Sequence, residues 1–130
     1  MEIKPGLQGT STLVVADEHT AARFGAGGVR VLGTPMMIGL MENAAFSALQ
    51  ALLPEGQTSV GTRVDIRHLA ATPIGMRVTA TAELLEVDGR RLVFRVEARD
   101  EKELIGDGQH ERAIITLDRF LSRVEEKARG

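Results

Sequence analysis

The sequence predicts an α+β fold in which a curved antiparallel sheet wraps around one central helix, and three observations carry that expectation. The segment 36–53 is apolar nearly all round, with Glu42 as its sole charged residue. From Ser59 to Leu117 apolar and polar residues alternate with the period of two that marks strands. The helix precedes this meander, and a helix apolar on most sides must be enclosed, so the sheet has to curl around it. The 130 residues suit one core, and a single domain over 1–130 is expected.

Thr10–Ala16 is rich in β-branched residues and reads as the first strand. Asp17–Arg23 has a cap-like start and weak helical character, and FGAGG at 24–28 breaks regular structure. Val29–Leu32 is a short extended piece that delivers the chain to Thr34-Pro35. Thr34 suits an N-cap, and Pro35 suits the first helical position, where a backbone N–H has no partner to lose. The helix stops before Pro54-Glu55-Gly56. In the long strand that follows, Val60, Thr62, Val64, Ile66, His68 and Ala70 share one face, while Ser59, Arg63, Asp65 and Arg67 share the other.

A turn at Thr72–Gly75 leads into Met76–Val87, with Met76, Val78, Ala80, Ala82 and Leu84 on one side. Asp88-Gly89 signals a hairpin. Leu92, Phe94, Val96 and Ala98 face inward on the next strand, and Arg91, Arg95, Glu97 and Arg99 form a solvated, salt-bridged outer face. The last strand spans Gly108–Leu117, and Arg119–Arg129 is a short amphipathic helix or a frayed tail. A curved sheet leaves edges that need cover, which points to a dimer.

A net charge of -2 and the absence of Trp and Tyr leave neither a general attraction to a phosphate backbone nor much surface for bases to stack on, so nucleic acid is not an expected partner. With no cysteine, disulfides, a thiolate nucleophile and sulfur-ligated zinc are excluded. The start MEIKPGLQGTSTLVV lacks the apolar run of a signal peptide, and cytoplasm is the expected location. Glu42, Asn43, Ser47 and Gln50 interrupt the longest apolar stretch, which therefore reads as a buried soluble helix and not a membrane span. His19, His68 and His110 have no metal-like spacing, so no metal is expected.

Two residues stand out against their apolar surroundings. A carboxylate at Glu42 has to be paired, hydrogen-bonded or neutral to be tolerated in such a helix. His68 shares a strand face with Val64 and Ile66 and should point inward, where a carboxylate–imidazole pair becomes feasible and a satisfied core histidine is the bland alternative. Thr34 is explained as a cap, although a hydroxyl at a helix start also lies where N–H groups and the dipole favour developing negative charge.

The stretches VLGTPMMIGLMENA, SVGTRVDIRHLAATPIGMRVTATAEL and GQHERAIITLDRF together resemble the fluoroacetyl-CoA thioesterase-like family of hot-dog proteins, in the same order from about Val31 to Phe120. The resemblance implies a hot-dog domain, a homodimer whose two sheets join, and an acyl-CoA site near the interface. It also implies a catalytic set of Thr34, Glu42 and His68, with the Gly61 backbone near the thioester carbonyl and Arg112 placed to meet the CoA portion. CoA belongs to the substrate, and no cofactor is implied. Where the fluoroacetyl-CoA enzymes set aromatic cover over the acyl pocket, this chain reads FGAGGVR, with Phe24 its one aromatic residue. A different short acyl group, or a broader range, is therefore expected. A non-catalytic acyl-CoA sensing module and a hot-dog hydratase or dehydratase are the alternatives; neither releases free thiol.

Overall fold

The computed structural model describes residues 2–25 and 27–130; Ala26, inside the break expected over 24–28, lies outside them. Strand β1 (Gln8–Val14) leads through a 3-10 turn (Asp17–His19) and a short helix α1 (Ala21–Phe24) to the long helix α2 (Thr34–Gln50). Strands β2 (Gln57–His68), β3 (Arg77–Asp88), β4 (Arg91–Arg99) and β5 (Leu104–Thr116) follow, and helix α3 (Leu117–Arg129) ends the chain. All pairings are antiparallel, in the order β1-β3-β4-β5-β2. The first two strands in sequence are thus the two edges of the sheet. Helix α2 crosses its concave face from one edge to the other, which is the wrapped arrangement expected.

Met37, Leu40, Met41, Ala44, Ala45 and Leu49 of α2 pack on Val78, Ala80, Ala82 and Leu84 of β3 and on Leu92, Phe94, Val96 and Ala98 of β4. The inward faces expected for β3 and β4 are the faces observed. Helix and sheet approach closely because glycine lies beneath the contact. A Cβ on Gly9 would sit 2.2 Å from the carbonyl oxygen of Ala44, and one on Gly106 would sit 2.6 Å from the Met37 side chain. Outside, Arg91 bridges Glu86 at 3.0 Å and Glu111 at 2.9 Å, Arg67 meets Asp107 at 3.1 Å, and Arg95 pairs with Glu83. Exposed pairs of this kind contribute up to about 1 kcal/mol each.

Four expectations need correction. First, α2 is not enclosed on most sides: Pro35, Gly39, Asn43, Ser47 and Gln50 are exposed, with Ile38, Glu42 and Phe46 half-buried beside them. One sheet covers only part of a helix surface. Second, the face of β2 changes along the strand. Gly61 pairs with Arg112 and Arg63 pairs with Glu111, which leaves Thr62 as an extra residue in a bulge. The bulge inverts the alternation, so Ser59 is buried at 4% exposure and faces the helix, whereas Val60 lies on the other face with Ala113. Beyond the bulge, Val64, Ile66 and His68 share the face of His110, Gly108 and Gly106, as expected.

Third, β5 begins at Leu104, not Gly108. Gly106 and Gly108 lie within the strand, where a Cβ on Gly108 would meet the Asp65 carbonyl oxygen. Close strand packing demands that glycine. Fourth, Gly33 is the N-cap of α2, with Thr34 and Pro35 as its first two helical residues, and no side chain caps the helix. The Thr34 hydroxyl is engaged elsewhere.

Candidate functional site

Thr34 is held from both sides. The Gly33 N–H donates to the His19 carbonyl at 2.8 Å, and the Leu32 N–H donates to the Thr72 carbonyl at 2.9 Å. These bonds tie the lead into α2 against the 3-10 turn and the β2–β3 connection. At the end of β2, His68 lies directly opposite: its Nδ1 is 2.7 Å from the Thr34 hydroxyl oxygen. Burial pushes the His68 pKa below the ordinary value of 6.5, and the Ala70 backbone opposes this in part. A neutral ring with its proton on Nε2 accepts the Thr34 O–H at Nδ1, the polarity needed to make the hydroxyl more nucleophilic or to orient it. Beside this pair is a cavity of about 350 Å³ whose lining includes Val29, Val31, Leu32, Leu69 and Ala70. Aliphatic side chains line it on one side, and Thr34 and His68 form its polar edge. Phe24 does not line it.

Glu42 belongs to a second cluster. Its carboxylate is 3.8 Å from Nη1 of Arg112 and 3.8 Å from Nε2 of His110, and its side chain is 40% exposed. Glu42 is therefore not the inward, buried carboxylate expected. It stands at the rim of the uncovered helix face, above Gly61, where a Cβ would come within 2.5 Å of its Oε2. Gly61 leaves room for that carboxylate.

Arg112 is buried, at 5% exposure. Its Nε donates to the Ser59 hydroxyl at 2.8 Å, its Nη2 to the Ser59 carbonyl at 2.9 Å, and its guanidinium lies 5.7 Å from the centre of the Phe46 ring. His110, 1% exposed, completes the cluster. Its Nδ1 donates to the Arg63 carbonyl at 2.9 Å, so Nε2 is left to accept from Arg112 Nη1 at 3.1 Å. In that tautomer the ring is neutral, and Arg112 is the cation that faces Glu42. Burial is the main cause that holds the His110 pKa below 6.5. Sequence reasoning missed His110 as a site neighbour, although its spacing of two from Arg112 puts both on one strand face.

The two clusters are separate within one chain. Eight residues of α2 divide Thr34 from Glu42, a rise of about 12 Å. Gly61 and His68 lie towards opposite ends of the same arm of β2. Among the described residues, no group of three or more acidic, histidine or cysteine side chains is disposed to hold a metal, and no helix is long and apolar enough to cross a membrane.

Both depressed histidines have a consequence for stability. The unfolded chain takes up protons at His68 and His110 near pH 6.5, whereas the folded chain does so only at lower pH. Their contribution is fully present above 6.5 and is lost as pH falls through the folded values. The urea midpoint is expected to be flat from pH 8 to about 6.5 and to decline towards pH 5; a midpoint flat across the whole range would mean that neither ring is desolvated.

Four matches to known proteins bear on the fold and the family. The family model described as fluoroacetyl-CoA-specific thioesterase matches residues 15–118. The fluoroacetyl-CoA thioesterase of Streptantibioticus cattleyicolor is 48% identical over 97 residues, covering 75% of this chain and 70% of that protein. A crystal structure of the fluoroacetyl-CoA thioesterase FlK superposes with a TM-score of 0.92 at 40% identity, covering 98% of both chains. A thioesterase-superfamily member from Thermus thermophilus superposes with a TM-score of 0.88 at 32% identity, covering 98% of this chain and 97% of the other. The curled sheet around α2 is the hot-dog fold, and this chain is a thioester hydrolase that belongs to the fluoroacetyl-CoA-specific thioesterase family.

Proposed function

We propose that the protein hydrolyses short acyl-CoA thioesters to the free acid and CoA, as a cytoplasmic homodimer that needs no cofactor beyond the CoA of its substrate. The observation that carries this reading is the 2.7 Å contact between Thr34 and His68 at the edge of a cavity of about 350 Å³ lined otherwise by aliphatic side chains. Such a cavity takes a small acyl group, and the polar pair at its edge meets the thioester carbonyl. A variant of FlK has been solved in complex with fluoroacetate and CoA, and it superposes on this chain with a TM-score of 0.86 at 41% identity.

In the reaction, an oxygen nucleophile adds to the carbonyl, the C–S bond breaks, and the departing thiolate takes a proton. Neutral His68 is the proton acceptor, and Thr34 orients the reacting groups through its hydroxyl. Glu42 either activates water, or attacks directly to give a mixed anhydride that water then cleaves to the free acid, and the Gly61 backbone supports the oxyanion. Arg112 faces the Glu42 carboxylate as its counter-charge, and His110 accepts from Arg112 and so fixes the guanidinium.

A second copy joins the two clusters. An interface with two-fold symmetry makes every contact twice, so Glu42 of one protomer can approach Thr34 and His68 of its partner while the reverse contact forms at the second site. Two surfaces support this: the uncovered face of α2 along Gly39, Asn43 and Ser47, and the free edge of β2, which exposes Val64. A free edge of that length is a place for another strand.

The test measures thiol release from acetyl-, fluoroacetyl- and propionyl-CoA by equal mixtures of His68→Ala and Glu42→Gln chains, refolded together. If the site is shared between protomers, half the dimers are mixed and each carries one intact site, so about a quarter of wild-type activity returns. If each chain supplies its own triad, no site in the mixture is intact and activity stays at the level of the parents. Tight binding of the esters by wild type without thiol release would point to a sensing module.

A further inference from the structure

A shallow groove of about 200 Å³ lies between the β3–β4 hairpin and α3, with Arg90 on one wall and Arg119, Phe120 and Arg123 on the other. Several arginines of the sheet are matched: Arg63, Arg67, Arg91 and Arg95 each meet a carboxylate. Among the described residues, Arg90, Arg119 and Arg123 form no ion pair. The one polar contact of the Arg90 guanidinium among the described residues is a long bond, 3.5 Å, to the Ile114 carbonyl.

Arg119 and Arg123 are four apart on α3, so their charges repel along one helix face. Arg90 adds a third cation from across the groove. An arrangement that costs the free protein electrostatic energy is relieved by an anion that several guanidiniums can grip at once, and phosphate oxygens fit their forked geometry. Phe120, 37% exposed, adds an aromatic face of the kind on which a base stacks.

The groove is also in register with the site. Strand β5 runs from Arg112 beside Glu42 to Thr116 at the groove, a distance of about 13 Å at the rise of an extended strand. We propose that this groove takes the phosphorylated nucleotide end of the acyl-CoA, while the thioester reaches the site through the pantetheine arm. The inference rests on the acyl-CoA reading above. It adds a specificity element: affinity comes from a part of the substrate remote from the chemistry.

The experiment compares acetyl-CoA with acetyl-pantetheine, which carries the same thioester without phosphates or base, using wild type and an Arg119→Gln/Arg123→Gln double variant. Glutamine keeps helix propensity and removes the charge. The ratio of kcat/KM for acetyl-CoA over acetyl-pantetheine is expected to fall about tenfold or more, mainly through KM on acetyl-CoA. Arg90→Gln should lower the same ratio from the opposite wall. A ratio that does not move in either variant, with melting temperatures held, overturns the proposal; so does a wild type that uses both thioesters with equal KM. If wild type hydrolyses neither, the thioesterase reading fails and the groove is judged by calorimetry with 3′-phosphoadenosine 5′-diphosphate. Binding weakened in the double variant supports the groove, and no binding to wild type overturns it.

Discussion

His68→Ala is expected to lower the rate of thiol release by about 10²- to 10⁴-fold, the range by which a positioned proton acceptor accelerates such a step. The substitution removes the ring that is hydrogen-bonded to the Thr34 hydroxyl, and the loss should appear in kcat, because the aliphatic side chains that hold the acyl group remain. Glu42→Gln should cause a loss of the same order with little effect on folding. Its carboxylate is 40% exposed and 3.8 Å from Arg112, whose guanidinium keeps its hydrogen bonds to Ser59 when the amide replaces the carboxylate. Steady-state kinetics checks both. If the His68→Ala enzyme stayed within about threefold of wild type, far short of that range, histidine would be removed from the chemistry and Thr34 would have no base in this chain.

Phe94→Ala is expected to cost about 3–5 kcal/mol, the usual range for a large aromatic ring removed from a core. Phe94 is fully buried, pairs across the sheet with Leu84 and His110, and belongs to the cluster under α2. Against a total stability of about 5–15 kcal/mol for a domain, that loss brings the chain near its unfolding threshold. Equilibrium urea unfolding, with the slope compared between variants, measures it. Phe120→Ala on α3 makes a useful contrast: its ring is 37% exposed, and a change there should stay within about 0.5 kcal/mol.

The central helix and the inward faces of β3 and β4 were legible because each element repeats its own period over many residues. Met37, Leu40, Met41, Ala44 and Ala45 mark one helical side, and Val78 to Leu84 mark one strand face. The errors fall where tertiary contact overrides the local signal. The last strand was expected to start at Gly108, yet Gly106 already lies within it, and both are glycine because Met37 and the Asp65 backbone lie against them. Glu42 looked buried because its helix neighbours are apolar, a composition suited as much to a face that another protein surface can cover as to a core.

The site was legible residue by residue but not as an arrangement. Alternation put His68 on the inner face, and the structure keeps it there; that its partner would be Thr34 depended on Thr34 not capping its helix, which no spacing reveals. His110 was set aside because three distant histidines make no metal site. Its role as a neutral acceptor for Arg112 needed the Arg63 carbonyl at 2.9 Å to settle the tautomer.

The extra residue Thr62 gives the strand a reading frame. Upstream of it, odd-numbered residues look at the helix; downstream, even-numbered ones do. Ser59 and Gly61 can therefore serve the carboxylate cluster while His68 serves the threonine, a combination that a regular strand of the same sequence forbids. Loss of Thr62 itself would straighten the strand and leave His68 opposite Gly106, but with the bulge kept, loss or gain of one residue between Arg63 and His68 would turn the imidazole to the solvent side, while a change of two would shorten or lengthen the reach and keep its direction. Length parity in this stretch, as much as the identity of the histidine, decides whether a chain of this kind carries a working site.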